Sequence, residues 1–139
     1  MPLEYTTRQM GPVFFVTLTG TVELNAARHA YDRVLRACLA SGCTAMLLDA
    51  GGACGELSTL ERYDFGKHVA ARHVAAEGEL GQELRVALVA RPPVADPTHF
   101  GALVANNRGG RFLVAAAVDE ALRWFGVAPP PPPDPPASA

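Results

Sequence analysis

The chain has 139 residues, of which 49% are hydrophobic, and a formal net charge of −2 at pH 7. Its length and composition suit one globular domain with a substantial core, and the near-neutral charge without any Lys/Arg cluster argues against nucleic-acid binding. No apolar run approaches the roughly 20 residues that span a bilayer, and the N-terminus lacks the features of a signal peptide. We therefore expect no membrane span and a cytoplasmic location.

The predicted elements begin with two strands and then alternate between helices and strands. Aromatic and β-branched runs favour strands, whereas apolar residues that recur every three or four positions favour helices. In chain order, these patterns predict strands at 3–9 and 14–19, a helix at 25–40, a strand at 44–49, a helix from 58, a strand at 84–90, a helix at 96–105, a strand at 111–115 and a helix at 119–125. The order favours an α/β layered sandwich, with about five strands in a mixed, mostly parallel sheet and about four helices.

Several side chains predict where the helices begin. Asn25 and Asp96 are candidate N-caps of the first and third helices, and Pro97 suits the first position of the third. Ser58 and Glu61 have the spacing of a capping box at the start of the second helix. Six residues of that helix suggest its buried stripe: Leu60, Tyr63, Gly66, Val69, Ala70 and Val74.

Three segments are predicted to lie outside regular elements. Residues 50–55 form a glycine-rich loop, and residues 77–82 form a polar connection. The proline-rich segment 128–139 predicts an extended, disordered tail beyond a domain at 1–127, because proline opposes helix and sheet. The alternative is a ligand for the proline-binding groove of a partner.

The end of the third predicted strand is the first candidate site. Open α/β sheets usually bind ligands beyond the carboxyl ends of their strands, where Asp49 can cap the next turn, pair with an arginine or contact a ligand. The loop after it contains neither the P-loop pattern nor the dinucleotide-binding pattern, so it predicts no nucleotide site. The candidate binding surface consists of Asp49, Gly51, Gly52, Glu56, Tyr63, Asn107 and Arg108.

Three further polar residues have two interpretations each. Ser58 and Thr59 suit a helix cap, or a phosphorylation site at which the helix N-terminus favours the added charge. Arg108 follows Asn106 and Asn107 at a helix end, so it belongs to a C-cap or binds a carboxylate or phosphate.

The order of elements resembles the STAS fold, the domain of sulfate transporters and anti-sigma-factor antagonists. More narrowly, several segments resemble a STAS-like family of bacterial proteins that are largely uncharacterised. These segments are Gly20 with residues 24–28, 47–49, 57–63 and 105–109, and a last helix that ends in Trp124-Phe125. Together they extend the resemblance over roughly residues 3–127.

The resemblance implies a regulatory role for the start of the second helix. In the antagonists, a partner kinase phosphorylates a serine or threonine of an Asp-Ser-Ser/Thr-Gly motif at that place. The corresponding segment here is 55–60, in which Ser58 lies nearest to the motif's position. The Asp-Ser pair and the following glycine are missing, and Glu56 and Glu61 make the surroundings acidic.

The cysteines and histidines predict neither a cofactor nor a metal site. Three cysteines in a chain without a signal peptide argue for free thiols, with Cys38 in the core and Cys54 exposed. The four histidines have no metal-ligand spacing, and His68 and His73 lie on different helix faces. No serine has the context of a nucleophile elbow, so we predict a protein that is not an enzyme.

Three functions remain as hypotheses. The first is a regulatory module of bacterial signalling that binds a partner protein, with Ser58 or Thr59 as a switch. The second is a small-molecule or lipid carrier, which requires an apolar cavity under the second or third helix. The third is a self-associating subunit, such as a homodimer, for which an exposed Phe14, Phe100 or Trp124 would be an indication.

Overall fold

A computed structural model of the chain describes residues 1–96 and 98–127. Pro97 and the segment 128–139 lie outside the described residues, as do the predictions made for them. The strands are β1 (Glu4–Met10), β2 (Val13–Thr21), β3 (Ala45–Cys54), β4 (Arg85–Val89) and β5 (Phe112–Ala115). The helices are α1 (Leu24–Ala40), α2 (Thr59–Leu80), α3 (Phe100–Asn107) and α4 (Val118–Phe125).

The five strands form one mixed sheet whose spatial order equals the chain order. β1 is antiparallel to β2, and every other pair of neighbours is parallel. Because crossovers between parallel strands are right-handed and the strand order advances in one direction, α1, α2 and α3 lie on the same face. α4 follows the last strand and packs on the opposite face. The predicted α/β sandwich and its element order are confirmed.

The alternation of side chains along the strands divides the core into two clusters. Met46 and Leu48 of β3 pack with α1, α2 and α3, whereas Leu47 between them packs with Leu122 of α4. Cys38 of α1 belongs to the larger cluster, and its burial raises the pKa of its thiol to about 12. The predicted core role of this cysteine is therefore confirmed.

The predicted loop after Asp49 is wrong, because β3 continues to Cys54. Residues 52–54 pair with Thr19, Gly20 and Thr21 of β2, beyond an irregularity in register at Thr17–Thr19. The glycines disfavour a strand locally, but the neighbouring strand supplies hydrogen-bond partners over this length. Tertiary pairing thus overrides the local preference.

The predicted end and buried stripe of the second helix are also partly wrong. α2 continues through residues 77–80 and ends at Gly81, whose φ of 64° gives the left-handed C-cap that glycine favours. Leu60 and Val74 are exposed rather than buried, and Tyr63 is half-buried. The buried residues are Gly66, Val69, Ala70, His73 and Ala76. The prediction failed because α2 carries apolar residues on two faces, so periodicity alone does not say which face is buried.

The predicted caps of two other helices are displaced. α1 begins at Leu24 after Glu23, so Asn25 lies inside the helix and is not its N-cap. α3 begins at Phe100, later than predicted, after His99 with a φ of 54°. Asp96 nevertheless caps the first turn of α3, because its Oδ2 accepts a hydrogen bond of 3.0 Å from the Phe100 N–H. The positive end of the helix dipole also stabilises a carboxylate at this position.

Candidate functional site

The start of α2 is an exposed capping box. The Ser58 hydroxyl accepts a hydrogen bond of 3.2 Å from the Glu61 N–H, and the Ser58 N–H donates one of 2.9 Å to Glu61 Oε1. Ser58 and Thr59 are both exposed. The predicted cap at Ser58 is therefore confirmed.

Replacing Ser58 by alanine should lower the free energy of unfolding by about 1 kcal/mol, because the Glu61 N–H loses its acceptor. Urea denaturation followed by circular dichroism measures this difference. Thr59→Ala is the matched control, since it removes the neighbouring hydroxyl without changing the capping box. We expect less than about 0.5 kcal/mol from it; equal losses in both variants would contradict the assignment of the cap.

Asp49 lies on the other side of the sheet from Ser58. Leu48 and Ala50 line a cavity on the side of α2, so alternation along β3 directs Asp49 to the face of Leu47 and α4. Its Oδ1 accepts a hydrogen bond of 3.0 Å from the Gly51 N–H. Because both residues belong to β3, this bond is a contact within one strand and not the predicted cap of a turn.

The other half of the predicted surface does come together. The Arg108 Nη2 donates a hydrogen bond of 2.8 Å to the Tyr63 hydroxyl, with the Arg108 Cζ 5.5 Å from the ring centroid. The Lys67 Nζ lies 5.3 Å from the centroid of the same ring. Asn107, next to Arg108, is exposed. The structure thus divides the predicted surface into three parts. Asp49, Gly51 and Gly52 belong to β3, and exposed Glu56 lies in the connection from β3 to α2. Tyr63, Asn107 and Arg108 form the α2–α3 surface.

Asn106 explains why the helix end has this form. Its Nδ2 donates a hydrogen bond of 2.9 Å to the Phe112 carbonyl, and its Oδ1 accepts one of 2.8 Å from the Phe112 N–H. These bonds fix the connection from α3 to β5. Asn106 is structural, while the guanidinium of Arg108 lies at the surface, where it can contact a partner.

The outer face of α2 consists of Leu60, Tyr63, Lys67, Ala71 and Val74. Their spacing places them within one sector of the helix, beside the sector of the residues that are buried against the core. Leu60 is 78% exposed and Val74 is 56% exposed. This face therefore leaves two large apolar side chains exposed to solvent, about four helical turns apart.

A buried Tyr31–His73 pair went unpredicted. The His73 Nε2 lies 2.7 Å from the Tyr31 hydroxyl, and its Nδ1 accepts a hydrogen bond of 3.3 Å from the Arg111 N–H. Burial lowers the pKa of His73 to about 4, an effect that the nearby Glu77 opposes and Arg111 reinforces. Because the two partners are 42 positions apart, no local signal in the sequence joins them.

A cavity of about 120 Å³ lies between the sheet and α1, α2 and α3. Most of its lining is apolar, and small residues leave the space open: Ala27, Ala30, Ala50, Gly66, Gly101 and Ala102. The apolar cavity required by the carrier hypothesis is therefore present beneath α2 and α3.

The polar residues of the cavity lining include a closed ion pair. The Arg62 Nη1 lies 3.1 Å from Asp96 Oδ1, and the Arg62 Nη2 donates a hydrogen bond of 3.0 Å to the Pro93 carbonyl. The pKa of Asp96 is lowered, first by the hydrogen bond from the Thr98 hydroxyl, with smaller contributions from the Phe100 N–H and the Arg62 guanidinium. Asp96 therefore remains ionised at neutral pH and balances the charge of Arg62.

A second, open groove lies beyond the carboxyl ends of β3, β4 and β5. Gly51 and Cys54 line it on one side and Arg91 on another. Ligands of open α/β sheets usually occupy this position, but Asp49 is not among the residues that line the groove.

Residues 1–96 and 98–127 contain neither a cluster of metal ligands nor a membrane-spanning helix. No group of three or more His, Cys, Asp or Glu side chains in these ranges is placed to hold a metal ion. Among the helices described, none combines the length and apolar character needed to cross a membrane.

The comparisons with known proteins support the fold. The sequence matches neither a protein-family profile nor a curated protein. An anti-sigma factor antagonist from Mycobacterium paratuberculosis is similar in structure, with a TM-score of 0.56 and 18% identity, over 88% of this chain and 92% of that one. The anti-sigma factor antagonist SpoIIAA in its unphosphorylated form is also similar, with a TM-score of 0.50 and 11% identity. The match covers 88% of this chain and 98% of that one.

A third similar structure is an uncharacterised protein from Shewanella loihica with a SpoIIAA-like fold. It has a TM-score of 0.47 and 20% identity, over 88% of this chain and 92% of that one. The two antagonist structures are sufficient to define the class: the chain has the STAS-like fold of anti-sigma factor antagonists. The resemblance seen in the sequence is thereby confirmed at the level of fold.

Proposed function

We propose that this protein is a non-enzymatic regulatory module that binds a partner protein through the outer face of α2. The observation that carries the proposal is the exposure of Leu60 and Val74 on that face. A large apolar side chain left in water provides free energy when a partner covers it. The fold, which antagonists of anti-sigma factors share, supports a regulatory role by analogy.

Charge restricts the kind of partner that fits this surface. Lys67 and Arg108 flank Tyr63, and the Tyr63 hydroxyl holds the arginine by a hydrogen bond of 2.8 Å. An arginine that is already oriented loses less conformational freedom when it binds a carboxylate. The partner segment therefore combines apolar side chains with acidic residues.

Phosphorylation of Ser58 provides a switch for this surface. Transfer of a phosphoryl group from a nucleoside triphosphate to the exposed hydroxyl adds nearly two negative charges, two residues from Leu60. The N–H groups of the first helical turn can bind the new oxygens, but Glu61, now bonded to the Ser58 N–H, repels them. The modification therefore rearranges the capping box and makes the surface more negative, which weakens binding of an acidic partner.

The experiment first identifies the partner and then measures its affinity. Benzoylphenylalanine in place of Ala71 should form a photo-crosslink to one protein, because Ala71 lies on the outer face of α2 and is exposed. With that protein purified, Leu60→Asp should weaken binding roughly tenfold or more by calorimetry, as loss of an interface anchor typically does. Lys67→Glu and Ser58→Asp should weaken it as well.

Leu103→Asp is the matched control for the docking surface. Leu103 is 55% exposed but lies on α3, so the same change there should leave the affinity within about twofold. Full affinity of Leu60→Asp, or equal weakening by Leu103→Asp, would exclude the outer face of α2 as the docking site. If Ser58→Asp binds as tightly as the unmodified protein, the hypothesis of a phosphorylation switch is wrong. The hypothesis of docking through the outer face of α2 is unaffected.

A second candidate function, a small-molecule carrier, is favoured by the apolar cavity beneath α2 and α3. Its volume of about 120 Å³ is similar to the roughly 150 Å³ of an engineered cavity that holds benzene, which is one small ring, so a lipid chain does not fit. Native mass spectrometry of the purified protein separates the two functions, since only a carrier retains a small molecule. Self-association has less support: Phe14 is buried, and Phe100 and Trp124 are half-buried rather than exposed.

A further inference from the structure

We propose that the cavity beneath α2 and α3 is a binding site for a small, uncharged apolar molecule no larger than a single substituted ring. The proposal rests on the second candidate function and goes further, because it names the class of ligand and the residues that select it. It is independent of docking at the outer face of α2.

The size of the ligand follows from the cavity volume of about 120 Å³. An engineered apolar cavity of about 150 Å³ accepts benzene or xenon and remains free of water. A ligand here is therefore one ring or a short branched alkyl group. Two fused rings require the helices to move apart, and Gly66 against Gly101 already sets the separation of α2 and α3.

The polarity of the ligand follows from the lining. Leu48, Val69 and Leu88 present apolar side chains to the cavity, and the hydroxyl of Tyr31 is engaged with His73. An apolar wall gives no hydrogen bond to a charged group, so a charged ligand would lose its hydration without compensation.

The charge of the ligand follows from the Arg62–Asp96 pair. The two side chains are largely buried and lie 3.1 Å apart, so their charges neutralise each other. Asp96 is also held by Thr98 and by the Phe100 N–H. A ligand carboxylate would have to displace Asp96 from Arg62 and from the start of α3, whereas a neutral ligand leaves these bonds intact.

The ligand enters on the side of this ion pair. Arg62, Asp96 and His99 all line the cavity, and His99 is exposed there. They lie where the first turns of α2 meet the segment before α3. A single hydroxyl on the ligand can point to this end and bond with the ion pair, while its ring contacts the apolar wall.

Four probes of similar size test the proposal: toluene, benzyl alcohol, benzoate and benzylamine. Titration of protein with labelled methyl groups, followed by NMR, should show saturable shifts of the Leu48, Val69 and Leu88 methyl signals with toluene and benzyl alcohol. Benzoate and benzylamine should bind at least roughly tenfold more weakly.

Two cavity variants and one control locate the site. Ala102→Leu places a larger side chain in the cavity and should abolish the shifts, while Ala71→Leu, on the outer face of α2, should retain them. Because Ala102→Leu can also disturb folding, Val69→Ala is a second, independent test of the site, since it enlarges the cavity. It should increase the affinity for naphthalene relative to toluene by roughly tenfold.

Each contrary result has a distinct meaning. If benzoate binds as tightly as toluene and benzyl alcohol, the ligand need not be uncharged, but a carrier function remains supported. Binding that survives in folded Ala102→Leu, together with an unchanged preference in Val69→Ala, overturns the site. No shift with any of the four probes overturns both the inference and the carrier function, and leaves docking at α2 unaffected.

Discussion

Acidification from pH 7 to pH 4.5 should cost the protein about 2 kcal/mol of stability through His73 alone. The pKa of this histidine is lowered from 6.5 to about 4 in the folded protein, mainly by burial. Between these values the unfolded chain binds a proton that the folded chain does not. Stability from a histidine with a lowered pKa is present above pH 6.5 and is lost as the pH falls toward 4.

Burial is the main cause of the lowered pKa, and the hydrogen bonds of His73 also favour its neutral form. The backbone N–H of Arg111 can only donate, so the Nδ1 that accepts it carries no proton. The Nε2 then holds the ring proton and donates it to the Tyr31 hydroxyl at 2.7 Å. A second proton would put two donors face to face at Nδ1, in a site where the His73 side chain is 0% exposed.

Denaturant unfolding at a series of pH values measures this effect, with His73→Gln as the test variant. Glutamine stays uncharged, so the difference in unfolding free energy between pH 7 and pH 4.5 should shrink by about 2 kcal/mol. His29→Gln, which removes an exposed imidazole from α1, is the matched control and should retain the wild-type difference. An unchanged difference in His73→Gln would show that His73 is protonated in the folded state.

Alanine at two glycines of α2 should have opposite effects on stability. A Cβ at Gly66 would lie 2.6 Å from the Gly101 carbonyl oxygen and 3.0 Å from the Val104 Cβ, so α2 and α3 must separate. Overpacking of this kind costs about 1–3 kcal/mol, and we expect about 2 kcal/mol for Gly66→Ala.

Gly78→Ala is the control on the same helix. A Cβ at Gly78 meets nothing within 4 Å, and alanine favours a helix over glycine by about 0.5–1 kcal/mol, so this variant should be more stable. Thermal unfolding of both variants and of the wild type measures the two differences. A stable Gly66→Ala would mean that α2 and α3 adjust their spacing freely, which would also remove the size limit on the cavity.

The sequence was sufficient to predict the fold because its signals were local. A capping box needs only Ser58 and Glu61, and both hydrogen bonds are present. The mixed, mostly parallel sheet followed from the order of elements, since strands that alternate with helices after a hairpin are joined by crossovers and pair in parallel. These features depend on residues that are close together in the chain.

The features that sequence reasoning missed depend on distant residues. The extension of β3 to Cys54 needs the pairing with β2, and the Tyr31–His73 bond joins residues 42 positions apart. The exposed face of α2 was assigned to the core because Leu60 and Val74 are apolar. Only the packing of α2 on α3 through Gly66 shows which of the adjacent apolar faces is buried.

The candidate site was predicted in part for the same reason. Tyr63 and Arg108 were both named from their residue types, but the bond between them depends on the spacing of α2 and α3. Asp49 and Ser58 lie only nine positions apart in the chain. They nevertheless lie on opposite sides of the sheet, because one strand alternates its side chains between two layers.

The buried and the exposed residues of α2 are under different constraints. Gly66, Val69 and His73 serve folding, whereas Leu60, Lys67 and Val74 make no contribution to the core. If the proposed docking surface is used, substitutions in the second set change the affinity for a partner while thermal stability is preserved. A lineage that inherits this scaffold then acquires new partners without first acquiring a more stable core.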